Sequence, residues 1–173
     1  AGAWYAEGAR YVYTNGLMNG TSGTTFSPDI ATILWRMAGS PAANFDMEFS
    51  DVPQGQWYTE AVRWAASEGI VNGYGNGLFG TSDPATREQF AAMLWRYAQK
   101  VGCDMHIGKD TNILSYTDGA DLSEYAVPAM QWAVGAGIIN GTGDGSTLTP
   151  QGEATRAQTA VMLMRFCERY VTG

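Results

Sequence analysis

Three copies of one pattern run through the 173 residues of this chain. In each copy a helical segment opens on an aromatic residue and ends at a glycine, and an apolar pair and an Asn-Gly turn follow. The helical segments start at Trp4, Trp57 and Tyr125, and their turns lie at 19–20, 72–73 and 140–141. Units of this size are too small to bury a core alone. The repetition therefore restricts the chain to folds in which neighbouring copies share one core.

A second, longer helical segment follows in each copy and carries one apolar stripe. In the second copy the stripe is Phe90, Met93, Leu94 and Tyr97, which is the i, i+3, i+4, i+7 spacing of one helix face. The other two copies repeat it with Ile30, Ile33, Leu34 and Met37, and with Thr159, Met162, Leu163 and Phe166. The spacing predicts an all-α fold of three helix–loop–helix repeats. We place them at 1–45, 46–112 (with a connector) and 113–173.

The second and third long segments open with the same short phrase, Thr86-Arg87-Glu88-Gln89 and Thr155-Arg156-Ala157-Gln158. Thr-x-x-Gln predicts a capping box, in which threonine and glutamine satisfy the first backbone groups of a helix. The arginine is not explained by capping, because a cation in the first turn opposes the helix dipole. An ion pair with a nearby acid, such as Asp51 or Glu88, is one explanation.

The first copy is incomplete. Aligning Phe26 with Phe79 and Leu34 with Leu94 leaves it seven residues short, and the gap covers the whole capping box. The copy also lacks the Phe-x-Asp phrase that opens the second copy at Phe49.

The charge balance argues against two classes of partner. The net charge is −7 and the sequence pI is about 4.5, which argues against nucleic-acid binding and against docking on anionic membranes. No run of 18 apolar residues occurs, so we expect no membrane insertion. An anionic ligand could not be held by the overall field of such a chain. It would need individual, well-placed arginines.

Catalytic and metal-binding patterns are missing from the sequence. The chain has one histidine, His106, and no Ser/His/Asp or Cys/His set or phosphate-binding loop. The stretch Asn140-x-Thr142-x-Asp144 faintly resembles a calcium loop, but Gln151 stands where that loop needs a glutamate. We therefore predict a non-enzymatic protein with no cofactor and no metal site.

Taken together, these motifs resemble three tandem S-layer homology repeats, the first of them truncated. In the second copy the resemblance rests on Phe49-Ser50-Asp51-Val52, Trp57-Tyr58 and the stretches 68–73 and 86–89. In the third copy it rests on Tyr116-Thr117-Asp118 and the stretches 137–141 and 155–158. The resemblance implies a pseudo-threefold, three-pronged spindle around a central helical bundle. It also implies grooves between the prongs that bind secondary cell-wall polysaccharide, often pyruvylated, on the outside of the bacterial cell.

The resemblance assigns ligand-binding roles to five side chains. By position, Arg87 and Arg156 would bind the carboxylate of a pyruvate ketal, which a guanidinium can hold with two charge-assisted hydrogen bonds. Trp57 and Trp4 match an aromatic position beside the groove, and Tyr125 stands there in the third copy. Replacing the arginines with alanine is expected to lower glycan affinity while stability holds or rises slightly.

Four further positions are carried over in the same way. Gly73 and Gly141 match positions where the backbone approaches the ligand. Asp51 and Asp118 match an aspartate that could accept hydrogen bonds from sugar hydroxyls. A role in turn formation or helix capping explains these two aspartates equally well.

The resulting prediction is an extracellular module of the bacterial cell wall or S-layer that binds an anionic wall polysaccharide without a covalent bond. Because the Thr-Arg-x-Gln phrase, whose arginine we call the box arginine, occurs in two of the three copies, we expect at most two grooves with a complete set of binding residues. Two alternatives stay open. The chain could be an assembly module with degenerate grooves and S-layer protein neighbours, or the anchor fragment of an exoenzyme.

Overall fold

The fold is built from paired short and long helices. The computed structural model describes residues 4–18 and 27–171, and within these ranges it contains six α-helices and no β-strand, only two isolated bridges. The helices are α1 (Ala6–Thr14), α2 (Ser27–Met37), α3 (Thr59–Ser67), α4 (Arg87–Lys100), α5 (Val127–Gly135) and α6 (Arg156–Tyr170). The predicted all-α fold is confirmed.

The predicted helix signals take the expected geometry. In α4, Thr86 Oγ1 accepts from the Gln89 backbone N–H at 3.2 Å, and the Thr86 N–H donates to Gln89 Oε1 at 3.0 Å. Thr155 and Gln158 form the same capping box at the start of α6. The glycines that follow α1, α3 and α5 have φ angles of 66°, 71° and 73°, the left-handed conformation that ends a helix.

The apolar stripes of the long helices form the core. Phe90, Leu94 and their counterparts on the other long helices are almost completely buried. The buried set is Ile30, Ile33, Leu34, Phe90, Met93, Leu94, Tyr97, Thr159, Met162, Leu163 and Phe166. Aromatic rings join α4 to α6, because Tyr97 and Phe166 lie with their ring centroids 6.2 Å apart. These stripes therefore make the shared core that the repeat pattern predicts.

Each short helix packs against a long helix of the neighbouring repeat. Helix α3 packs on α2, and α5 packs on α4. The series closes because α1 packs on α6, so the first repeat completes the prong that the third repeat begins. This cyclic exchange produces the pseudo-threefold, three-pronged arrangement.

The closing contact between α1 and α6 is tight. A Cβ atom added at Gly8 of α1 would lie 2.8 Å from the Cα and backbone nitrogen of Val161 in α6. Backbone atoms cannot move aside as the end of a flexible side chain can. Only glycine therefore lets the two helices approach this closely.

We predict that Gly8→Ala lowers the free energy of unfolding by about 1–3 kcal/mol through overpacking at this contact. In an exposed helix the same change would raise stability by about 1 kcal/mol, since alanine is the better helix former. Urea denaturation followed by circular dichroism would measure the difference. A gain in stability would show that α1 and α6 are not in close contact.

Candidate functional site

Three surface grooves lie between the prongs and share one construction. Groove 1 has a volume of about 260 Å³, groove 2 about 340 Å³ and groove 3 about 450 Å³. We define groove 1 by Leu17, Met18, Asp29, Arg36, Trp57 and Arg156. Groove 2 is defined by Ser27, Asn72, Gly73, Gln89, Arg96 and Tyr125. Groove 3 is defined by Trp4, Arg87, Asn140, Gly141, Gln158 and Arg165.

Every groove draws on all three repeats. In groove 3 the third repeat supplies the long helix and the Asn140-Gly141 turn. The first repeat supplies the aromatic residue, Trp4, and the second supplies the box arginine, Arg87. Grooves 1 and 2 are built in the same way. One repeat supplies the long helix, the next supplies the aromatic residue, and the remaining one supplies the residue at the position of Arg87. The structure thus brings together residues that are far apart in the sequence, in combinations that the sequence did not predict.

The three predicted aromatic residues lie one in each groove and stay accessible. Trp4 is 67% exposed, and Trp57 and Tyr125 are also exposed. Trp4 and Trp57 are each held by an edge-to-face contact with the following tyrosine, with ring centroids 5.5 and 5.1 Å apart. Such rings offer a flat apolar face to a ligand at the groove. Their role in glycan binding stays a prediction.

The side chain of Arg87, the first residue of α4, extends to the 140–148 loop of the third repeat. Its Nε donates to the Leu148 carbonyl oxygen at 2.9 Å, and its Nη2 donates to the Asn140 carbonyl oxygen at 3.1 Å. The residue is only 4% exposed, and this burial lowers the pKa of the guanidinium, while the charge of Asp118 raises it. Within the described part of the chain, no carboxylate oxygen lies within 4.0 Å of its nitrogens. Arg87 is thus a buried cation bonded to neutral carbonyls.

The acids named as candidate partners of Arg87 bind elsewhere. Glu88 accepts from the Ser123 N–H at 3.0 Å, from Ser123 Oγ at 2.7 Å and from Gln151 Nε2 at 2.9 Å. It therefore ties the start of α4 to the third repeat. The carboxylate of Asp51 is turned to the loop of its own repeat. The ion pair considered from the sequence does not form at Arg87.

Asp51 and Asp118 hold the loops that border grooves 2 and 3. Asp51 accepts from the N–H groups of Phe79 at 2.8 Å and Gly80 at 2.7 Å. Asp118 accepts from those of Leu148 at 2.7 Å and Thr149 at 2.8 Å. The structure thus gives both aspartates the turn-forming role that the sequence left open. A role in binding sugar hydroxyls stays a prediction.

Gly73 and Gly141 line grooves 2 and 3 and are packed closely against their own loops. Gly73 has a φ angle of 66°, and a Cβ there would lie 2.6 Å from the Leu78 carbonyl oxygen. A Cβ at Gly141 would lie 2.7 Å from the carbonyl carbon of Gly145. The loop geometry therefore already requires glycine at both positions. Close approach of a ligand to this backbone stays a prediction.

Arg156 occupies in groove 1 the place that Arg87 has in groove 3, but it faces an acid. Its Nη1 lies 3.8 Å from Asp29 Oδ1 at the start of α2. The exposed fractions of the two side chains are 15% and 20%, so the pair is partly shielded from water. The predicted box arginines therefore have different electrostatic surroundings.

A further arginine in each groove was not identified from the sequence. Arg36, Arg96 and Arg165 each donate an Nη1 hydrogen bond to a backbone carbonyl, at 3.2, 3.0 and 3.3 Å. The acceptors are the first residues of the apolar pairs, Leu17, Ile70 and Ile138. Each arginine joins the long helix to the turn of its own repeat and lines its groove. Their recurrence two residues after the stripe leucine was the available signal.

Comparison with known proteins identifies the family. The S-layer homology domain family matches residues 1–29, 48–91 and 115–160, which together make up more than half of the chain. The chain belongs to the S-layer homology domain family. The three matched segments agree with three tandem repeats, the first truncated, and confirm the resemblance seen in the sequence.

The relatives are larger proteins of several kinds. An endoglucanase of Bacillus sp. (strain KSM-635) is 29% identical over 93% of this chain, which is 17% of its own length. A cellulosome-anchoring protein of Acetivibrio thermocellus is 24% identical over 80% of this chain and 30% of its own length. A surface-layer 125 kDa protein of Lysinibacillus sphaericus is 25% identical over 94% of this chain and 14% of its own length.

The chain spans less than a third of the length of each of these relatives. Together with the family, the relatives support a cell-wall anchoring role, and they place the chain among proteins of the bacterial cell surface. None of the described helices is long and apolar enough to cross a membrane. In the described ranges no three His, Cys, Asp or Glu residues group as a metal site.

The buried hydrogen bonds of Arg87 change the expected effect of removing it. We predict that Arg87→Ala lowers the free energy of unfolding by about 2 kcal/mol, because the buried carbonyl of Leu148 and the partly buried carbonyl of Asn140 lose a charged donor. Relief of the helix dipole would return only about 0.5 kcal/mol. Arg10→Ala, on the exposed face of α1, is the control and should change little. Urea denaturation measures both variants, and unchanged stability of Arg87→Ala would contradict the prediction.

The hydrogen bonds of Asp51 predict a pH dependence of stability. Burial opposes ionisation of this carboxyl, but the N–H groups of Phe79, Gly80 and Thr81 outweigh it and lower the pKa below its ordinary 3.8. The contribution of Asp51 to stability is fully present above the pKa of the unfolded chain and is lost as pH falls through the folded pKa. Urea denaturation should therefore show a steeper loss on acidification below about pH 4 for wild type than for Asp51→Asn.

The control for this comparison is Asp110→Asn, which removes an exposed carboxylate. Its pH profile should follow that of the wild type. If Asp51→Asn also keeps the wild-type profile, the loop hydrogen bonds do not favour the ionised carboxylate.

Proposed function

We propose that this chain anchors proteins to the bacterial cell wall by binding an anionic, pyruvylated wall polysaccharide in its inter-repeat grooves, with groove 3 as the main site. The observation that carries the proposal is Arg87, a buried cation at groove 3 with only neutral acceptors among the described residues. A pyruvate ketal presents a carboxylate that could contact this cation directly, a contact that no acid of the described residues makes.

The electrostatics of groove 3 support an anionic ligand. Arg87 and Arg165 both line it, and no acidic residue does so in the part of the chain that the structure describes. Asp118 is the one acid whose charge acts on the guanidinium among the described residues, and it makes no ion pair with it, so a carboxylate bound directly beside Arg87 would further offset the cost of its burial. The chain as a whole carries a net charge of −7, so attraction would be confined to such a local site.

The aromatic wall of the groove supports a sugar as the carrier of the charge. The indole of Trp4 is exposed at the groove, while Arg87 is buried against the 140–148 loop. A sugar ring could stack its apolar face on the indole while its ketal carboxylate reaches the arginines. The turn at Asn140-Gly141 provides polar groups at the same groove.

The relatives support a binding role over a catalytic one. An endoglucanase and a cellulosome-anchoring protein resemble this chain over most of its length, while the chain spans a small part of each. A shared module in proteins of different activity suits a common anchor. We therefore infer that the chain itself has no enzymatic activity. Release of reducing sugar from cell walls by the chain alone would argue against this inference.

A second function, assembly within a surface layer, is favoured by groove 2. Ser27 lines it in the place that an arginine takes in grooves 1 and 3, and one relative is named as a surface-layer protein. In that case groove 2 would contact a protein neighbour. Concentration-dependent self-association without wall polymer would favour this function.

Co-sedimentation with purified cell walls tests the proposed function. Wild-type protein should bind intact walls and lose most binding to walls stripped chemically of their secondary polymer. Trp4→Ala should bind intact walls about tenfold more weakly, because truncating an aromatic anchor costs about 1–2 kcal/mol. Thermal unfolding of this variant should be unchanged, since the indole is exposed.

Tyr13→Ala provides the matched control, because Tyr13 is 76% exposed on α1, the helix that Trp4 precedes, and lines none of the described groove surfaces. It should bind as the wild type does. Full binding to stripped walls would defeat the glycan proposal, and equal losses in the two variants would defeat the assignment of groove 3.

A further inference from the structure

Two positions at the start of the long helices distinguish the three grooves chemically. Helices α2, α4 and α6 begin at Ser27, Arg87 and Arg156, each seven residues before its stripe leucine, Leu34, Leu94 or Leu163. This helix register shifts the seven missing residues of the first copy to the equivalents of 80–86, so Ser27 corresponds to the box arginines. Five residues before the same leucines stand Asp29, Gln89 and Gln158. Gln89 and Gln158 complete capping boxes, whereas Asp29 replaces the neutral amide with a carboxylate. The first repeat therefore differs from the others at both positions.

In grooves 1 and 3, the first of these positions in one repeat lies at the same groove as the second position of the next repeat in the cyclic order. Groove 3 combines the box arginine Arg87 of the second repeat with Gln158 of the third. Groove 1 combines Arg156 of the third repeat with Asp29 of the first. The two grooves thus have the same arrangement, with a neutral amide in one and a carboxylate in the other.

In groove 1 the carboxylate is close enough to neutralise the arginine. Asp29 Oδ1 lies 3.8 Å from Arg156 Nη1, and both side chains are mostly shielded from solvent. At this distance, and away from bulk water, the pair interacts strongly. A ligand carboxylate entering groove 1 would compete with Asp29 for the guanidinium and would be repelled by it.

We propose that Asp29 is a specificity-determining residue that acts as an internal competitor for Arg156, so that groove 1 rejects the anionic glycan that groove 3 accepts. This inference rests on the proposed function, since it assumes that box arginines bind a carboxylate. It makes the chain monovalent for the anionic group, although two box arginines are present. Groove 1 then suits an uncharged stretch of the polymer, beside Trp57.

The test uses the indole N–H resonances of Trp57 and Trp4 as separate reporters of grooves 1 and 3. The probes are a methyl glycoside with a cyclic pyruvate ketal and the matching isopropylidene ketal, which has the same shape without the carboxylate. In the wild-type chain the pyruvate ketal should shift Trp4 with at least about tenfold higher affinity than Trp57, a factor that corresponds to about 1.4 kcal/mol.

Exchanging carboxylate and amide at the position of Asp29 and Gln158 should exchange the affinities of grooves 1 and 3 for the pyruvate ketal. Asp29→Gln should raise the affinity of the pyruvate ketal at Trp57 about tenfold, and Asp29→Asn should act in the same direction. Gln158→Asp should lower the affinity at Trp4 by a similar factor. The isopropylidene ketal should show neither change, because it has no carboxylate to compete with the aspartate.

Glu60→Gln is the matched control. Glu60 also lies in the first turn of a helix and also pairs with an arginine, Arg63, but outside the three grooves. It should change neither reporter, and thermal unfolding should confirm that each variant is folded.

The outcomes separate this inference from the function on which it rests. If Trp4 responds to the pyruvate ketal but Trp57 stays unchanged in both Asp29 variants, the role of Asp29 is overturned and the proposed function stands. Equal affinity at both tryptophans of the wild type has the same meaning. If neither tryptophan responds in any folded variant, the proposed function is overturned and the inference with it.

Discussion

The packing of α1 against α6 joins the beginning of the described chain to its end, and the grooves depend on it. Without this contact the three repeats would form an open row, with two junctions instead of three. Groove 3 lies at the closing junction, because Trp4 precedes α1 while Arg165 and Gln158 belong to α6. The close approach at Gly8 therefore shapes groove 3 as well as the core, since it sets the spacing of α1 and α6 beside this groove.

Arginines have two structural roles in this fold, and in both they donate hydrogen bonds to backbone carbonyls. Arg36, Arg96 and Arg165 join helix and turn within a repeat, whereas Arg87 joins the second repeat to the loop of the third. A guanidinium suits these tasks because its five N–H groups point in fixed directions within one plane. Bonds to carbonyls satisfy donors without cancelling the charge. The same side chain can therefore brace a loop and still attract an anion.

The sequence predicted what depends on neighbours along the chain. Capping boxes and stripes at Thr86 and Phe90 follow from spacings of three and four residues, and these were confirmed. The grooves depend instead on which repeat meets which, and the cyclic exchange between α1 and α6 leaves no local signal. The carbonyl partners of Arg87 could not be predicted either, because they depend on how the 140–148 loop turns its backbone. For the same reason the pairing of Asp29 with Arg156, from the first and third repeats, was invisible in the sequence.

Because groove 3 is assembled from all three repeats, the ligand binding proposed there would be thermodynamically linked to folding. A ligand that binds only the closed ring stabilises it by RT ln(1 + [L]/Kd), which is about 2.7 kcal/mol when the ligand is at one hundred times its Kd. A polymer-rich wall presents its sugars at high local concentration. In this setting the wall would hold the protein and also keep it folded, and a molecule released from the wall would lose that protection.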